Sequence, residues 1–344
     1  MNNIVFTREV GAELRGKLQD VSSSDVFVLV DNNSRNYCLE CLNLGYVPME
    51  HMITIPEGEY NKSIECAAHI WKCLSDAGAR RNSVLVNVGG GLISDIGGFA
   101  ASCFKRGIPC INVPTTLLAQ VDASVGGKTG INFNGLKNEI GTFSLPEWVL
   151  IDNRFLASLP ERQVLSGFAE MLKHALLADE RLLAEVMQAD LSKVADEEFL
   201  QLIKKSVAIK SAIVQGDPRE KGLRKALNFG HTVGHAIESV AIMKNLEMYH
   251  GEAVAYGMIA ELYLSVKKLG FDEKHYEAIK KYIQEKYLHY HAVDEPDTLY
   301  ELMLHDKKNE HEGVNFSLLR RPGEVEIDQY CDRDEILEAI DKIK

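Results

Sequence analysis

Four short apolar runs, with helical patterns interleaved among them, constrain most strongly what this chain can fold into. They are Val26-Phe27-Val28-Leu29-Val30-Asp31, Met52-Ile53-Thr54-Ile55, Val84-Leu85-Val86-Asn87-Val88 and Cys110-Ile111-Asn112-Val113. Runs this short with no polar face suit strands buried on both sides. Residues 63 to 77 and 92 to 103 between them carry helical periodicity. Strands alternating with helices build a parallel sheet, because parallel neighbours need a crossover.

The pattern changes after Pro160. Helical periodicity covers 161 to 178, 191 to 214, 225 to 243 and 252 to 269, and two more helices are expected over 273 to 287 and 295 to 308. Residues 313 to 327 read as a β-hairpin around Arg321-Pro322-Gly323. The expected fold class is an α/β N-terminal Rossmann-like domain with a parallel sheet, plus a mainly α-helical C-terminal domain. The boundary falls within 150 to 160, which divides the chain into 1–158 and 159–344.

With 344 residues, the chain is long enough for two domains. Its formal charge of −12 argues against a nucleic-acid partner, and any bound anion must meet a local concentration of basic groups. The N-terminus has no apolar core of signal-peptide length, and no apolar stretch is long enough to span a bilayer. Seven cysteines without framework spacing favour a reduced, cytoplasmic setting. Cys38-Leu39-Glu40-Cys41 has no second pair to complete a zinc ribbon, so it reads as two residues beside a core.

The chemistry concentrates in Leu227 to Glu238 and in His250-Gly251-Glu252. His231 and His235 stand four apart in a helix-compatible segment and so share one face. His250 opens another helical pattern. Imidazoles in this arrangement suit a divalent transition metal. His231 and His250 need a third ligand, and spacing allows His235. The rival is Glu170, an acidic residue in an otherwise apolar helix; it must reach solvent, pair with Lys173 or His174, or be buried against a cation.

Val84–Val88 runs into Gly89-Gly90-Gly91 and then a helix, which is the layout of a phosphate site at a helix N-terminus. The third glycine of the dinucleotide fingerprint would fall at Ser94, so a tight strand–helix turn remains an equal reading. Asp122 to Thr129 is not a Walker loop, because Asp122 occupies the first glycine position; it reads as a glycine turn presenting Lys128 to an anion. Asp31 ends a strand, where it can accept ribose hydroxyls or serve as a helix cap. Arg106 and Asn138, the latter with its neighbour Lys137, sit in non-periodic sequence, which favours an anion pocket over a solvated face.

Taken together the chain resembles the 3-dehydroquinate synthase family. The resemblance runs through Pro56-Glu57-Gly58-Glu59-Tyr60-Asn61-Lys62-Ser63, the triple glycine, Val113 to Asp122, Gly126-Gly127-Lys128, Gly167-Phe168-Ala169-Glu170, the His231 motif and His250-Gly251-Glu252-Ala253-Val254. It implies a catalytic NAD and one divalent metal, Zn2+ or Co2+, held by Glu170, His231 and His250. The implied NAD contacts are Asp31, Glu57, Gly58, Glu59, Tyr60, Asn61 and Lys62, then Gly91, Leu92, Ile93, Ser94 and Asp95. They continue with Thr115, Thr116, Lys128 and Lys137, and with Phe155, Leu156, Ala157 and Ser158. The implied substrate and catalytic groups are Arg106, Asp122, Lys128, Asn138, Lys173, Lys210, Arg224, Asn228 and His235, with either Lys307 or Lys308.

The reaction so implied converts 3-deoxy-D-arabino-heptulosonate 7-phosphate to 3-dehydroquinate and phosphate in the shikimate pathway. It proceeds by transient oxidation, phosphate elimination, re-reduction and an intramolecular aldol closure. The expected partner is this small phosphorylated sugar acid, in a homodimer. Rival readings are a metal-dependent polyol dehydrogenase, another sugar-phosphate cyclase, or an inactive nucleotide-binding module. The phosphate-binding set argues against the first, and Arg224, matched to a carboxylate, against the second.

Overall fold

The computed structural model describes residues 3–134, 136–287, 294–304 and 313–343. In chain order the strands of the first half are β1 (Ile4–Phe6), β2 (Val26–Asp31), β3 (Met52–Ile55), β4 (Val84–Gly89), β5 (Cys110–Pro114), β6 (Lys128–Phe133), β7 (Leu136–Phe143) and β8 (Trp148–Ile151). Six of them form one sheet in the order β1-β8-β5-β4-β2-β3, with every pairing parallel.

The apolar runs become central strands because both their faces are covered. Successive side chains of a strand point to opposite faces. Phe27, Leu29 and Leu85 accordingly pack with Ile70, Leu74 and Ile96 of the helices Ile64–Asp76 and Gly91–Cys103. Val26, Val28, Val30, Val84, Val86 and Val88 pack on the other face with Val10 and Leu14 of the helix Val10–Lys17. β1 and β8 are too short and too ordinary in composition to stand out in the sequence, yet they complete the sheet edge.

Chain contacts divide the molecule into two units, residues 1–160 with 191–207, and residues 161–190 with 208–344. The second unit contains the helices Glu161–Ala178, Glu180–Met187, His231–Met243, His250–Leu269, Glu273–Lys286, Pro296–Leu304 and Arg333–Asp341. It also contains an antiparallel pair, β9 (Val314–Arg321) and β10 (Glu324–Cys331).

Four expectations about elements need correction. The helix expected over 191 to 214 begins at Glu197 after a single turn, Leu191–Lys193. The helix expected over 225 to 243 is two elements, a 3-10 turn Leu223–Asn228 and the helix His231–Met243. Gly230 separates them at φ +79, a left-handed conformation that glycine adopts without strain. The stretch around Lys128 does more than turn: it opens the antiparallel hairpin β6–β7. The final hairpin extends to Cys331 and is followed by the helix Arg333–Asp341, which periodicity did not reveal.

The helix His250–Leu269 is buried along Gly251 to Ser265. Its glycines set the distance to its neighbours. A Cβ on Gly257 would lie 2.0 Å from the Gly230 carbonyl oxygen, and one on Gly251 would lie 1.9 Å from that of Ser166. Backbones this close leave no room for any side chain.

Candidate active site

Three helices of the second unit each bring one side chain to a common point. Glu170 lies in the middle of Glu161–Ala178, and His231 and His250 are the first residues of their own helices. His231 Nε2 stands 3.3 Å from Glu170 Oε1 and His250 Nε2 stands 3.7 Å from it. One donor atom from each of the three lies within 4.8 Å of the others.

The polarity of the imidazoles is fixed by what their other nitrogens touch. His231 Nδ1 is 3.2 Å from the Phe229 carbonyl, and His250 Nδ1 is 3.3 Å from Glu238 Oε2. An acceptor at Nδ1 favours the proton there, so that each Nε2 turns toward Glu170 and can ligate a metal once that nitrogen is unprotonated. Two imidazole nitrogens and a carboxylate converging on one point are a donor set that could hold a divalent cation. Glu170 is wholly buried, with the Lys173 ammonium against Oε2 and both imidazole Nε2 atoms beside Oε1. A carboxylate in that situation needs a positive charge nearby, and Lys173, also buried, supplies one from the next turn.

The electrostatics follow. Burial pushes the Glu170 carboxyl up, but Lys173 and the two imidazoles outweigh it and hold the group well below the usual carboxylate range. Burial, reinforced by the Lys173 charge, pushes His231 down from the ordinary imidazole value, to about 4, so this ring is neutral near pH 7. For His250 burial acts downward too, but the Glu238 and Glu170 carboxylates win and raise it. The donor set fits the implied metal, with neutral His231 ready as a ligand.

Backbone capping holds the ligand-bearing ends in place. Glu261, fully buried, accepts the N–H groups of Gly230 at 2.6 Å, Thr232 at 3.1 Å and Val233 at 3.2 Å. A carboxylate from a neighbouring helix thus caps the start of His231–Met243, where the helix dipole favours negative charge. Glu252 caps its own helix at the Tyr249 N–H and accepts from Nε and Nη2 of the Arg162 guanidinium, at 2.9 and 3.0 Å. Sequence reading missed Glu261, Glu238 and Arg162. An acidic residue in an apolar helical pattern, the signal that singled out Glu170, was equally present at Glu261.

His235 lies one turn beyond His231, with ring centroids 5.2 Å apart, and 6.0 Å from the His250 ring. Of the remaining groups in this unit, Arg224 and Lys210 are buried. Arg224 Nη1 donates to the Pro218 carbonyl, and the Asn228 amide donates to Glu220.

In the first unit the triple glycine ends β4 and starts the helix Gly91–Cys103, so the backbone of Gly91 to Asp95 forms a helix N-terminus beside a strand end. Asp31 caps the helix Asn32–Tyr37 by accepting the Ser34 N–H, which is the capping alternative. Glu57 to Lys62 form a turn in which Gly58 has φ +95 and Tyr60 is fully solvent-facing. Lys62 is buried and donates to Asp95 at 2.6 Å and to Asn138. Burial pushes the Asp95 carboxyl up despite that lysine. Thr115 is buried, and the Thr116 hydroxyl accepts from Ala119 N–H. Phe155 and Leu156 belong to the core, so they offer a ligand backbone only, whereas Ala157 and Ser158 are exposed. Asp122 lies in the turn Ala119–Ala123, and Lys128 and Arg106 are exposed. The cysteines, including Cys38 and Cys41, are free thiols. Lys307 and Lys308 lie outside the described residues.

Residues 52–166 match the family described as 3-dehydroquinate synthase N-terminal, and residues 167–309 match its C-terminal counterpart. The 3-dehydroquinate synthase of Parabacteroides distasonis is 46% identical over 341 residues, covering 98% of this chain and 96% of that protein. That of a Nitratiruptor species is 41% identical, covering 87% and 85%. Among solved structures, a 2-epi-5-epi-valiolone synthase from Streptomyces hygroscopicus with NAD+ and Zn2+ bound superposes with TM-score 0.84 at 26% identity, covering 99% and 96%. A 2-deoxy-scyllo-inosose synthase complexed with carbaglucose-6-phosphate, NAD+ and Co2+ gives 0.81 at 25%, covering 98% and 95%. A glycerol dehydrogenase from Schizosaccharomyces pombe gives 0.66 at 14%, covering 99% and 88%, a likeness of fold alone.

Proposed function

The chain belongs to the 3-dehydroquinate synthase family, and from that premise we propose how its own residues carry the family's reaction. It is a carbon–oxygen lyase that converts 3-deoxy-D-arabino-heptulosonate 7-phosphate to 3-dehydroquinate and phosphate. The convergence of Glu170 with the Nε2 atoms of His231 and His250 carries the reading.

Those three residues hold one divalent ion, which supplies Lewis acidity to neighbouring substrate hydroxyls when bound, while NAD supplies a reversible hydride acceptor. Residues 1–158 bind the cofactor through the glycine turn at Gly91 to Asp95, the Glu57 to Lys62 turn, Asp31, Thr115, Thr116, Lys137 and the Phe155 to Ser158 backbone. Arg106, Lys128 and Asn138 hold the phosphate. From 159–344, Asn228 also binds phosphate. Arg224, with Lys210, holds the carboxylate; a guanidinium presents two parallel N–H donors to a planar anion. His235 relays a proton, since imidazole changes charge near neutral pH. Asp122 and Lys173 orient hydroxyls, and Lys173 also keeps the Glu170 carboxylate ionised.

The locally basic set lets a chain of charge −12 bind a multiply charged anion. Among the described residues no helix is long and apolar enough to cross a membrane. We place the enzyme in the cytoplasm as a homodimer.

The test is phosphate release from the heptulosonate, followed together with absorbance at the NADH wavelength. Release that requires NAD and stops with chelator, without net NADH, is expected. Steady NADH accumulation would mean a polyol dehydrogenase instead. Equal turnover of a substrate lacking the carboxylate would favour the valiolone or inosose type of cyclase.

A further inference from the structure

The hairpin β6–β7 is irregular where two of the proposed ligand contacts lie. Ile131 pairs with Ile140 and Phe133 with Leu136, so Asn132 alone stands opposite residues 137 to 139. Such a bulge takes residues out of the ladder and re-aims their side chains. Here it releases Lys137 and Asn138 and sets Asn138 at φ +51, a left-handed backbone that asparagine tolerates better than most residues.

Asn132 spans the bulge with three of its polar groups. Its Oδ1 accepts the Asn138 N–H at 2.9 Å, its Nδ2 donates to Glu59 Oε1 at 3.0 Å, and its own N–H donates to the Lys62 carbonyl at 2.8 Å. Lys62 then completes the loop, donating from its buried ammonium to Asn138 Oδ1 and to Asp95. With Oδ1 of Asn138 turned to the lysine, its Nδ2 donor faces away from it. A donor held in that direction suits an anion.

We propose that Asn132 is a positioning residue for phosphate: it holds the bulge so that the Asn138 amide is presented to the substrate's phosphate group, and it anchors that bulge on the Glu57 to Lys62 turn. The inference rests on Asn138 as a phosphate contact. Asn132 touches neither the phosphate nor the reacting atoms. Its effect is to remove the freedom of a left-handed, exposed segment before the ligand arrives, which lowers the entropy lost on binding.

The experiment uses the full chain, loaded with metal and NAD, with inorganic phosphate as the probe. Asn132→Ala is expected to raise the Kd for phosphate roughly fivefold to tenfold, as for loss of one aligned hydrogen bond, and to leave the thermal midpoint and the Kd for NAD within about twofold. Hydrogen exchange supplies a readout independent of ligands: the amide of Asn138 loses its acceptor, so exchange accelerates within 136 to 140 and nowhere in the core. Acceleration there with unchanged phosphate affinity overturns the proposal, as does a parallel loss of NAD and phosphate affinity. Asn138→Ala is the control. If it too leaves phosphate affinity intact, the assignment of Asn138 fails, not the assignment of Asn132 to the bulge.

Discussion

At the scale of single residues, the proposed metal centre depends on which nitrogen of each imidazole is available. His231 and His250 both give Nδ1 to an oxygen acceptor and Nε2 to the common point. In the proposed three-residue site each ligand supplies one of three donors. His250→Ala should therefore lose stoichiometric zinc and turnover together, as read by metal analysis of the purified protein beside a phosphate-release assay; a variant that keeps one zinc per chain removes His250 from the ligand set. The histidines were legible in the sequence because their spacing is unusual. Glu170 was legible because a carboxylate interrupts an apolar pattern. Glu238 was not, because its role depends on the fold bringing it beside His250, twelve positions away on another helix.

At the scale of elements, the site is held by helices that approach unusually closely. The contact between His231–Met243 and His250–Leu269 is made through glycine, with Gly257 against the Gly230 carbonyl and Gly234 beside Ala253. Gly257→Ala pushes a methyl group into that carbonyl. It should destabilise the fold by on the order of 3 kcal/mol, read as a shift of the denaturant midpoint at unchanged slope. An unshifted midpoint would show that the helices separate at no cost. The break at Gly230 was missed in the sequence for a related reason. Residues 225 to 243 are periodic on both sides of the glycine, and periodicity cannot register a single left-handed residue. Glu261 then secures the new helix start by accepting three of its N–H groups, a cap supplied from a different element and invisible to local motifs.

At the scale of the whole molecule, stability in acid reports on buried ion pairs outside the proposed catalytic set. Asp25 is buried and accepts from the Arg80 guanidinium and the Ser83 hydroxyl. Arg80 lowers its carboxyl below the usual range, against burial, with Ser83 assisting. A carboxyl whose folded value is depressed adds stability above its unfolded pKa of about 3.9, and that stability disappears as pH falls through the folded value. Urea midpoints measured from pH 6 to pH 3 should thus fall less steeply below about pH 4 in Asp25→Asn than in the parent. Identical slopes would assign the acid sensitivity elsewhere.

Local chemistry in the chain was enough to read the alternation of central strands and helices, the change of character after Pro160, and a short set of candidate metal ligands in which His235 and Glu170 were rivals. Each of these rests on a short-range regularity: period two or three-and-a-half, an uninterrupted apolar run, a charge in the wrong place. Folding decided the rest. The sheet order β1-β8-β5-β4-β2-β3, the return of 191–207 to the first unit, the anchoring of Asn132 on Lys62 and the Glu261 cap on the helix His231–Met243 all join residues tens of positions apart. Contacts at that separation leave no periodic trace in one sequence, because the partner's position is set by packing and not by spacing.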